Sequence, residues 1–178
     1  MNSIKIFVTV ILLLLTAFYR AGAQEAGCLE RLEFFTGEWI METRDMQRDG
    51  SFRKGKAHSS VYFILDGYAL QDDFRSINRQ GEVTFRGTSI KSCLDDQPGY
   101  IITWIMPGME GLTDLRASWE NGILIGEGEG YDHIGSFKER FEYFNISDSS
   151  YSFRMDRSYD RGKTLLHDFS RIEAKKKR

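Results

Sequence analysis

The sequence predicts an all-β domain, an antiparallel up-and-down barrel of about ten strands preceded by a short helix. Turn residues recur at short intervals after Trp39, and the segments between them alternate apolar and polar side chains with a period of two. That alternation is typical of half-buried strands. The connections are also too short for the crossovers that parallel strands require.

A helical pattern precedes the first strand. Residues 24–35 place Leu29, Leu32 and Phe35 at helical spacing, with charged residues between them. We expect this helix to cover one end of the barrel as a lid or plug. Gly37 then provides a backbone bend, and Trp39 provides a large aromatic side chain beside the helix, so we expect Trp39 to have a structural role.

Short turn motifs divide the rest of the chain into hairpins. They are Asp49–Gly50, Asp66–Gly67, Gln80–Gly81, Pro98–Gly99, Asn121–Gly122, Ser147–Ser150 and Arg161–Gly162. Asn121–Gly122 is the strongest of them, because both residue types tolerate the positive φ angles of a primed two-residue turn.

The first 23 residues have the pattern of an export signal. Lys5 precedes an apolar run from residue 6 to residue 18, and Ala21-Gly22-Ala23 forms a small-residue cleavage site. The apolar run is shorter than the roughly 20 residues that a membrane-spanning helix needs. We therefore predict a signal peptide over 1–23, a single barrel domain over 24–178, and a periplasmic or extracellular location with no membrane span after cleavage.

Charge and cysteine content restrict the possible partners. Signal removal leaves 22 of the 24 basic residues against all 26 acidic ones, a balance that does not favour nucleic-acid binding. Cys28 and Cys93 both remain and would enter an oxidising compartment, so a disulfide between them is one possibility. Lipid attachment at Cys28 is another. The sequence leaves both the pairing and the oligomeric state open.

A resemblance to a known family extends over nearly all of the chain after residue 23. Its motifs are Phe35-x-Gly37-x-Trp39, residues 64–74 (ILDGYALQDDF), residues 117–122 (ASWENG), residues 153–160 (FRMDRSYD) and Gly162-Lys163-Thr164. Together they resemble a family of mostly bacterial, often exported domains of unknown function. The resemblance implies a calycin-like barrel, akin to lipocalins, fatty-acid-binding proteins and nitrobindins, with no assigned reaction.

The resemblance also implies how the barrel closes. Calycin barrels place an arginine of the last strand over the tryptophan of the Gly-x-Trp motif. We therefore expect Arg171 to lie on the indole of Trp39, with Arg157 as the next candidate.

The first functional hypothesis is a barrel whose lumen binds a small hydrophobic or amphipathic ligand. Asp72 and Asp73 are adjacent in a strand, so they must face opposite sides, and one of them could face inward. The predicted lumen residues combine aromatic and polar side chains: Tyr62, Gln71, Asp73, Arg75, Trp104, Phe153, Arg154 and Tyr159.

Two other hypotheses stay open. An enzyme could use lumen arginines and carboxylates, with Asp73, Glu127, Glu142 and Asp156 as possible acids or bases, and a structural or partner-binding protein could have a lumen packed with aromatic residues. The sequence lacks the Gly-x-Ser-x-Gly, His-Glu-x-x-His, Cys-x-x-Cys and dinucleotide motifs. Gly126, Gly128 and Gly130 lie on one face of a strand, where we expect tight coiling or a close backbone approach rather than a phosphate loop.

The sequence predicts neither a cofactor nor a metal. The histidines His58, His133 and His167 are scattered over different hairpins, an arrangement that does not favour a zinc triad. His167 lies on the last strand, near the place where nitrobindin-like barrels hold haem through a histidine. A lone histidine among apolar residues is more often structural, so we expect no haem there.

Overall fold

Hairpin connections join ten strands that follow one another in the sequence. The computed structural model describes residues 27–95 and 97–177. The strands are β1 (Gly37–Met46), β2 (Phe52–Ile64), β3 (Ala69–Ile77), β4 (Val83–Cys93), β5 (Tyr100–Met106), β6 (Gly111–Glu120), β7 (Ile123–Asp132), β8 (Gly135–Ser147), β9 (Ser150–Ser158) and β10 (Leu166–Lys176). The predicted signal segment 1–23, together with residues 24–26 of the predicted helix, lies outside the described residues.

The strands form a closed antiparallel barrel. Each strand pairs with its neighbours in the chain, and β1 pairs with β10 to complete the ring. Closure leaves no unpaired edge, so the backbone groups of every strand have partners on both sides. The predicted fold class, an all-β up-and-down barrel with a short N-terminal helix, is confirmed.

The turn motifs predicted from the sequence lie at the connections between strands. Asn121 and Gly122 have φ angles of 50° and 81°, which gives the primed turn that the Asn-Gly pair predicts between β6 and β7. Two connections have no turn motif among those predicted from the sequence. A short 3-10 helix at Pro107–Met109 joins β5 to β6, and residues 133–134 join β7 to β8.

A strict alternation separates the inner and outer walls. In β1, Trp39, Met41 and Thr43 are buried in the interior, whereas Glu38, Ile40 and Glu42 are exposed. Cross-strand pairing extends this phase around the ring, because residues directly opposite each other in a sheet share a face.

The barrel has two different ends. We call the end where β1 begins the plugged end, because the helical turn at 27–30 and the 3-10 helix at Glu33–Phe35 cover it. Leu29, Leu32 and Phe35 point into the barrel there and are at most 1% exposed. We call the opposite end, where β5 and β9 end, the mouth. Within the described residues, no helix has the length and apolar character that crossing a membrane requires.

Candidate functional site

Trp39 joins the plug to the barrel wall. Its indole N–H donates to the carbonyl oxygen of Phe35 over 2.6 Å, and its ring meets that of Tyr151 edge-on with 4.7 Å between centroids. Phe35 also contacts Tyr151 edge-on, at 5.3 Å. These contacts give Trp39 the structural position expected from the sequence.

A disulfide joins the plug to the wall. Cys28 lies in the helical turn and Cys93 at the end of β4, and their Cα atoms are 6.2 Å apart, within the usual range for bonded cysteines. The bond fixes the segment in front of β1 to the far side of the same barrel end.

The prediction for Arg171 is wrong. The register places Lys176, not Arg171, opposite Trp39, and the Lys176 amine lies 5.4 Å from the indole centroid. Arg171 lies on the outer wall and donates to Asp168 over 2.7 Å. The physical reason is the strand phase: Ala174 is buried in the interior, so a residue three positions away must face outward. Arg157, the next candidate, lies at the mouth.

The predicted lumen residues divide between the two walls. Trp104, Phe153 and Tyr159 lie inside, whereas the other five lie on the outer wall: Tyr62, Gln71, Asp73, Arg75 and Arg154. For these five the predicted lumen position is wrong. Asp72, which is 9% exposed, takes the inward place on β3, so every second residue from Gln71 to Arg75 must face outward.

A charged pair, Asp72 of β3 and Lys91 of β4, lies inside the barrel next to a serine of β2. The Lys91 amine lies 3.6 Å from a carboxylate oxygen of Asp72 and donates to the Ser89 hydroxyl over 2.7 Å. The Ser59 hydroxyl donates to the second carboxylate oxygen of Asp72. Lys91 is 2% exposed, and its burial lowers its pKa, while the charge on Asp72 opposes that shift. The sequence analysis missed Lys91, since nothing in its neighbours distinguishes it from an outward lysine.

Two tyrosines share the interior with this pair. Burial, followed by the negative charge on Asp72, raises the pKa of Tyr143 and that of Tyr151. Among the described residues the Tyr143 hydroxyl has no hydrogen-bond partner, although its ring packs against Phe35 and Phe153. The hydroxyl is therefore a polar group inside the barrel without a partner from the described residues.

Several lumen side chains retain accessible surface. Tyr143, Phe153, Met155 and Ile172 face inward on three adjacent strands, near the middle and the plugged end, yet none of them is fully buried. Since the walls are closed and the plug covers one end, this accessible surface belongs to the inner wall of the barrel.

Half-buried aromatic rings line the mouth on one side. Trp104 of β5 meets Phe74 edge-on and lies tilted against Phe85, with centroids 6.0 and 6.4 Å apart. Gly87 makes room for the indole, because a Cβ atom at that position would lie 2.3 Å from the Trp104 ring. These rings are only partly covered and form an apolar entrance.

A buried arginine cluster lines the other side of the mouth. Arg157 forms ion pairs with Asp132 at 3.1 Å and with Glu139 at 2.7 Å, and its guanidinium lies between the rings of Phe137 and Phe169. Burial raises the pKa of Glu139, and the positive charge of Arg157 opposes that shift. Asp132 also accepts from Tyr159 and from two backbone N–H groups of the β7–β8 turn, which fixes its orientation.

Thr113 adds an unpaired hydroxyl to the lumen. It faces inward on β6, opposite Trp104 on β5, and it is 0% exposed. Its hydroxyl oxygen has no hydrogen-bond partner among the described residues. A buried polar atom without a partner is costly, so this hydroxyl destabilises the fold locally.

The glycines of β7 shape the inner wall. A Cβ atom at Gly126 or Gly130 would collide with the ring of Phe141 or Phe137, and one at Gly128 would lie 1.9 Å from the carbonyl oxygen of Asp114. The close backbone approach predicted from the sequence is therefore present at Gly128. It is also present at Gly130, where a Cβ atom would lie 2.5 Å from the carbonyl oxygen of Leu112 as well as against the Phe137 ring, whereas at Gly126 the ring of Phe141 alone fills the space.

The carboxylates proposed for an enzyme do not converge. All four lie on the outer wall, where Glu127 and Glu142 bond with Arg140, and Asp156 contacts His167. Asp73 accepts hydrogen bonds on the same wall from Tyr62, Gln71 and Thr88. The hypothesis fails for this set because each of these residues is adjacent in sequence to one that faces inward.

The histidines also stay apart. His167 is 74% exposed on the outer wall, 3.2 Å from Asp156. His58 lies on the outer face of β2, and His133 lies in the β7–β8 turn. In the part of the chain that the structure describes, no three histidine, cysteine or acidic side chains come together in a geometry for a metal ion.

Comparison with known proteins adds evidence on the fold. No protein-family model matches the sequence, and no curated protein matches it. The crystal structure of Rv2717c from M. tuberculosis has a TM-score of 0.62 at 12% identity, with 85% of this chain and 98% of that chain covered. The S-type phycobiliprotein lyase CPES from Guillardia theta has a TM-score of 0.51 at 10% identity, with 84% and 92% covered. At these identities the similarity shows the fold alone, which is a calycin-like barrel.

Proposed function

We propose that the protein binds a small amphipathic molecule in the barrel lumen and that the ligand enters through the mouth. The observation that carries this proposal is the accessible surface of Phe153, Met155 and Ile172 inside a closed barrel with one plugged end. Barrels of about eight to ten strands have room for one small ligand.

The chemistry of the lining indicates the ligand class. The aromatic entrance at Trp104 and the rings around Phe153 suit an apolar body. The unpaired hydroxyl of Tyr143, which lies among the inward side chains that retain accessible surface, can donate and accept a hydrogen bond, which suits a ligand with at least one hydrogen-bonding group. A ligand that pairs with this hydroxyl would offset the cost of leaving it without a partner.

The experiment compares probe uptake by two tryptophan variants. Met155→Trp adds bulk to the lumen, whereas Ile101→Trp adds the same ring to the outer wall, where Ile101 is 38% exposed. We expect the wild type and Ile101→Trp to bind an environment-sensitive fluorescent fatty-acid analogue, and Met155→Trp to lose that binding while staying folded. Absence of uptake by the wild type, or equal uptake by Met155→Trp, would contradict lumen binding. Native mass spectrometry of protein from its own host then identifies the resident molecule.

We infer further that the protein is exported and belongs with the exported domains that it resembles. The signal pattern of residues 1–23 and the Cys28–Cys93 bond support this inference, because such bonds persist in oxidising compartments. N-terminal sequencing of protein from its own host should begin at Gln24. A chain that keeps Lys5 would contradict export by cleavage.

We expect the ligand not to be haem held by His167. The imidazole lies on the outer wall, on the opposite side of the sheet from the lumen. Hemin mixed with the protein should give no Soret band that disappears in His167→Ala, and a histidine-dependent band would show that this site has been misjudged.

A further inference from the structure

Three side chains that carry or can carry positive charge lie in one row on the outer wall. Cross-strand pairing sets His58 of β2 opposite Arg75 of β3, and Arg75 opposite Arg86 of β4. All three residues are exposed. Directly opposed residues have Cβ atoms about 4.5–5.5 Å apart, and like charges in that relation destabilise a sheet.

The protein does not neutralise this row with ion pairs of its own. Within residues 27–95 and 97–177, neither Arg75 nor Arg86 forms an ion pair with a carboxylate. By contrast, the outward arginines on the other side of the barrel, Arg140 and Arg154, both pair with Glu142. Arg75 acts on Asp73 through its charge without forming an ion pair with it, so the N–H donors of both guanidinium groups are available to an external anion.

Asp73 is the nearest acidic group on the same strand, and its oxygens are already engaged. One oxygen accepts from Gln71 over 2.9 Å and from Thr88 over 3.0 Å, and the other accepts from Tyr62 over 2.9 Å. The pKa of Asp73 is lowered, and the hydrogen bond from the Gln71 amide is the largest cause. These donors hold the carboxylate against Tyr62 and Thr88 and compensate part of its charge.

The outer wall is concave at this row. A recess of about 250 Å³ is lined by His58, Ser60 and Arg75, with the carboxylates of Glu38 and Asp73 at its side. A second recess of about 330 Å³ is lined by Arg75, Arg86 and Thr88, with Asp73 at its side, and it reaches Phe74 at the mouth. A water molecule takes about 30 Å³, so either recess is large enough for a tetrahedral oxyanion with several waters. The first recess sets Arg75 beside two carboxylates, whereas the second sets Arg75 and Arg86 beside Asp73 alone, so the second is the more favourable place for an anion.

We propose that the outer wall of β3 and β4 binds a phosphate group between Arg75 and Arg86. The planar guanidinium groups offer paired N–H donors that match the oxygens of phosphate, and a dianion removes the repulsion within the row. The two arginines lie on the outer wall, so the proposal does not require that a ligand occupy the lumen.

The test measures thermal unfolding in sodium phosphate against sodium chloride of equal ionic strength. We expect phosphate to raise the melting temperature of the wild type, and Arg86→Gln to weaken phosphate binding by about tenfold to a hundredfold, the range for a lost charge-assisted hydrogen bond. Arg116→Gln is the matched control, because Arg116 is exposed on β6 and has no ion pair in the described residues. It should keep the wild-type response.

A second measurement separates this site from general effects of salt. Without phosphate and at low ionic strength, Arg86→Gln should melt at the same temperature as the wild type or higher, because the substitution removes repulsion from Arg75. A wild type that responds neither to inorganic phosphate nor to vesicles with phosphatidic acid overturns the proposal, as does an unchanged response in Arg86→Gln. Vesicles of phosphatidylcholine with and without phosphatidic acid identify the source of the phosphate. If only the vesicles bind, and bind through Arg86, the phosphate group is that of a lipid; if inorganic phosphate binds, the source is soluble.

Discussion

Replacement of Lys91 by methionine tests whether the charged pair inside the barrel is desolvated. The substitution keeps an unbranched apolar side chain but removes the amine that lies 3.6 Å from Asp72. Asp72 is 9% exposed and would keep only Ser59 as a side-chain donor. Breaking a buried ion pair by removing one partner costs about 3–5 kcal/mol. For a chain of this length, that loss corresponds to about 6–20 °C in melting temperature.

A second substitution should restore most of this loss. Asp72→Asn on the Lys91→Met background removes the unpaired charge and keeps an oxygen that accepts from the Ser59 hydroxyl. We expect the double variant to unfold within about 1–2 kcal/mol of the wild type, since replacing both partners of a buried pair is often nearly neutral. The coupling between the two sites then appears directly in the double-mutant cycle.

Urea unfolding followed by tryptophan fluorescence gives the free energies, and far-UV circular dichroism checks that each variant folds. Lys54→Met is the control, because Lys54 is exposed on β2 and its replacement should change stability by less than about 0.5 kcal/mol. If Lys91→Met costs less than about 1 kcal/mol, or if Asp72→Asn fails to rescue it, the carboxylate is not desolvated. The assignment of Lys91 and Asp72 to a closed interior would then be refuted.

Three further predictions follow from the plugged end and the interior. Lys176→Gln should lower the free energy of unfolding by about 0.5–1 kcal/mol, because the amine 5.4 Å from the Trp39 ring is lost; no change in urea midpoint would contradict that contact. Burial and Asp72 raise the pKa of Tyr143, so its contribution to stability is complete below the unfolded value of about 10 and is lost as pH rises towards the folded value. Tyr143→Phe should therefore flatten the loss of stability above about pH 10, and an unchanged profile would contradict the raised pKa of Tyr143. Replacing Cys28 and Cys93 by serine removes a disulfide between residues 65 positions apart, and chain entropy predicts that the free energy of unfolding falls by about 4 kcal/mol. Urea unfolding measures this loss, with the reduced wild type as control. A free energy equal to that of the disulfide-bonded wild type would show that the bond does not constrain the unfolded chain.

The plugged end is the part of the structure that local sequence patterns predicted best. Leu29, Leu32 and Phe35 were predicted to form a covering helix, and they fill the barrel end, although the helical segment is split into a short turn and a 3-10 helix. Gly37 and Trp39 likewise take the expected places. These features depend on neighbours within a few residues, and such patterns are legible in a single sequence.

The candidate site was less predictable, because its members are brought together by strands far apart in the chain. The Asp72–Asp73 pair indicated that one acid could face inward, but the choice depended on Ser59 and Lys91 in two neighbouring strands. A difference of one residue in strand phase exchanges the inner and outer faces of a strand. The predicted phase of β3 differed from the observed one in this way, so Gln71, Asp73 and Arg75 lie on the outer wall and not in the lumen.

The sequence by itself determined that the chain forms an up-and-down barrel with a plug, since turn residues and period-two alternation act locally. Only the tertiary structure decided which face of each strand is the inside and which cation lies over Trp39. The register between β1 and β10 chooses Lys176 instead of Arg171 for that place. That register depends on packing and pairing around the whole ring, so no segment of the chain specifies it alone.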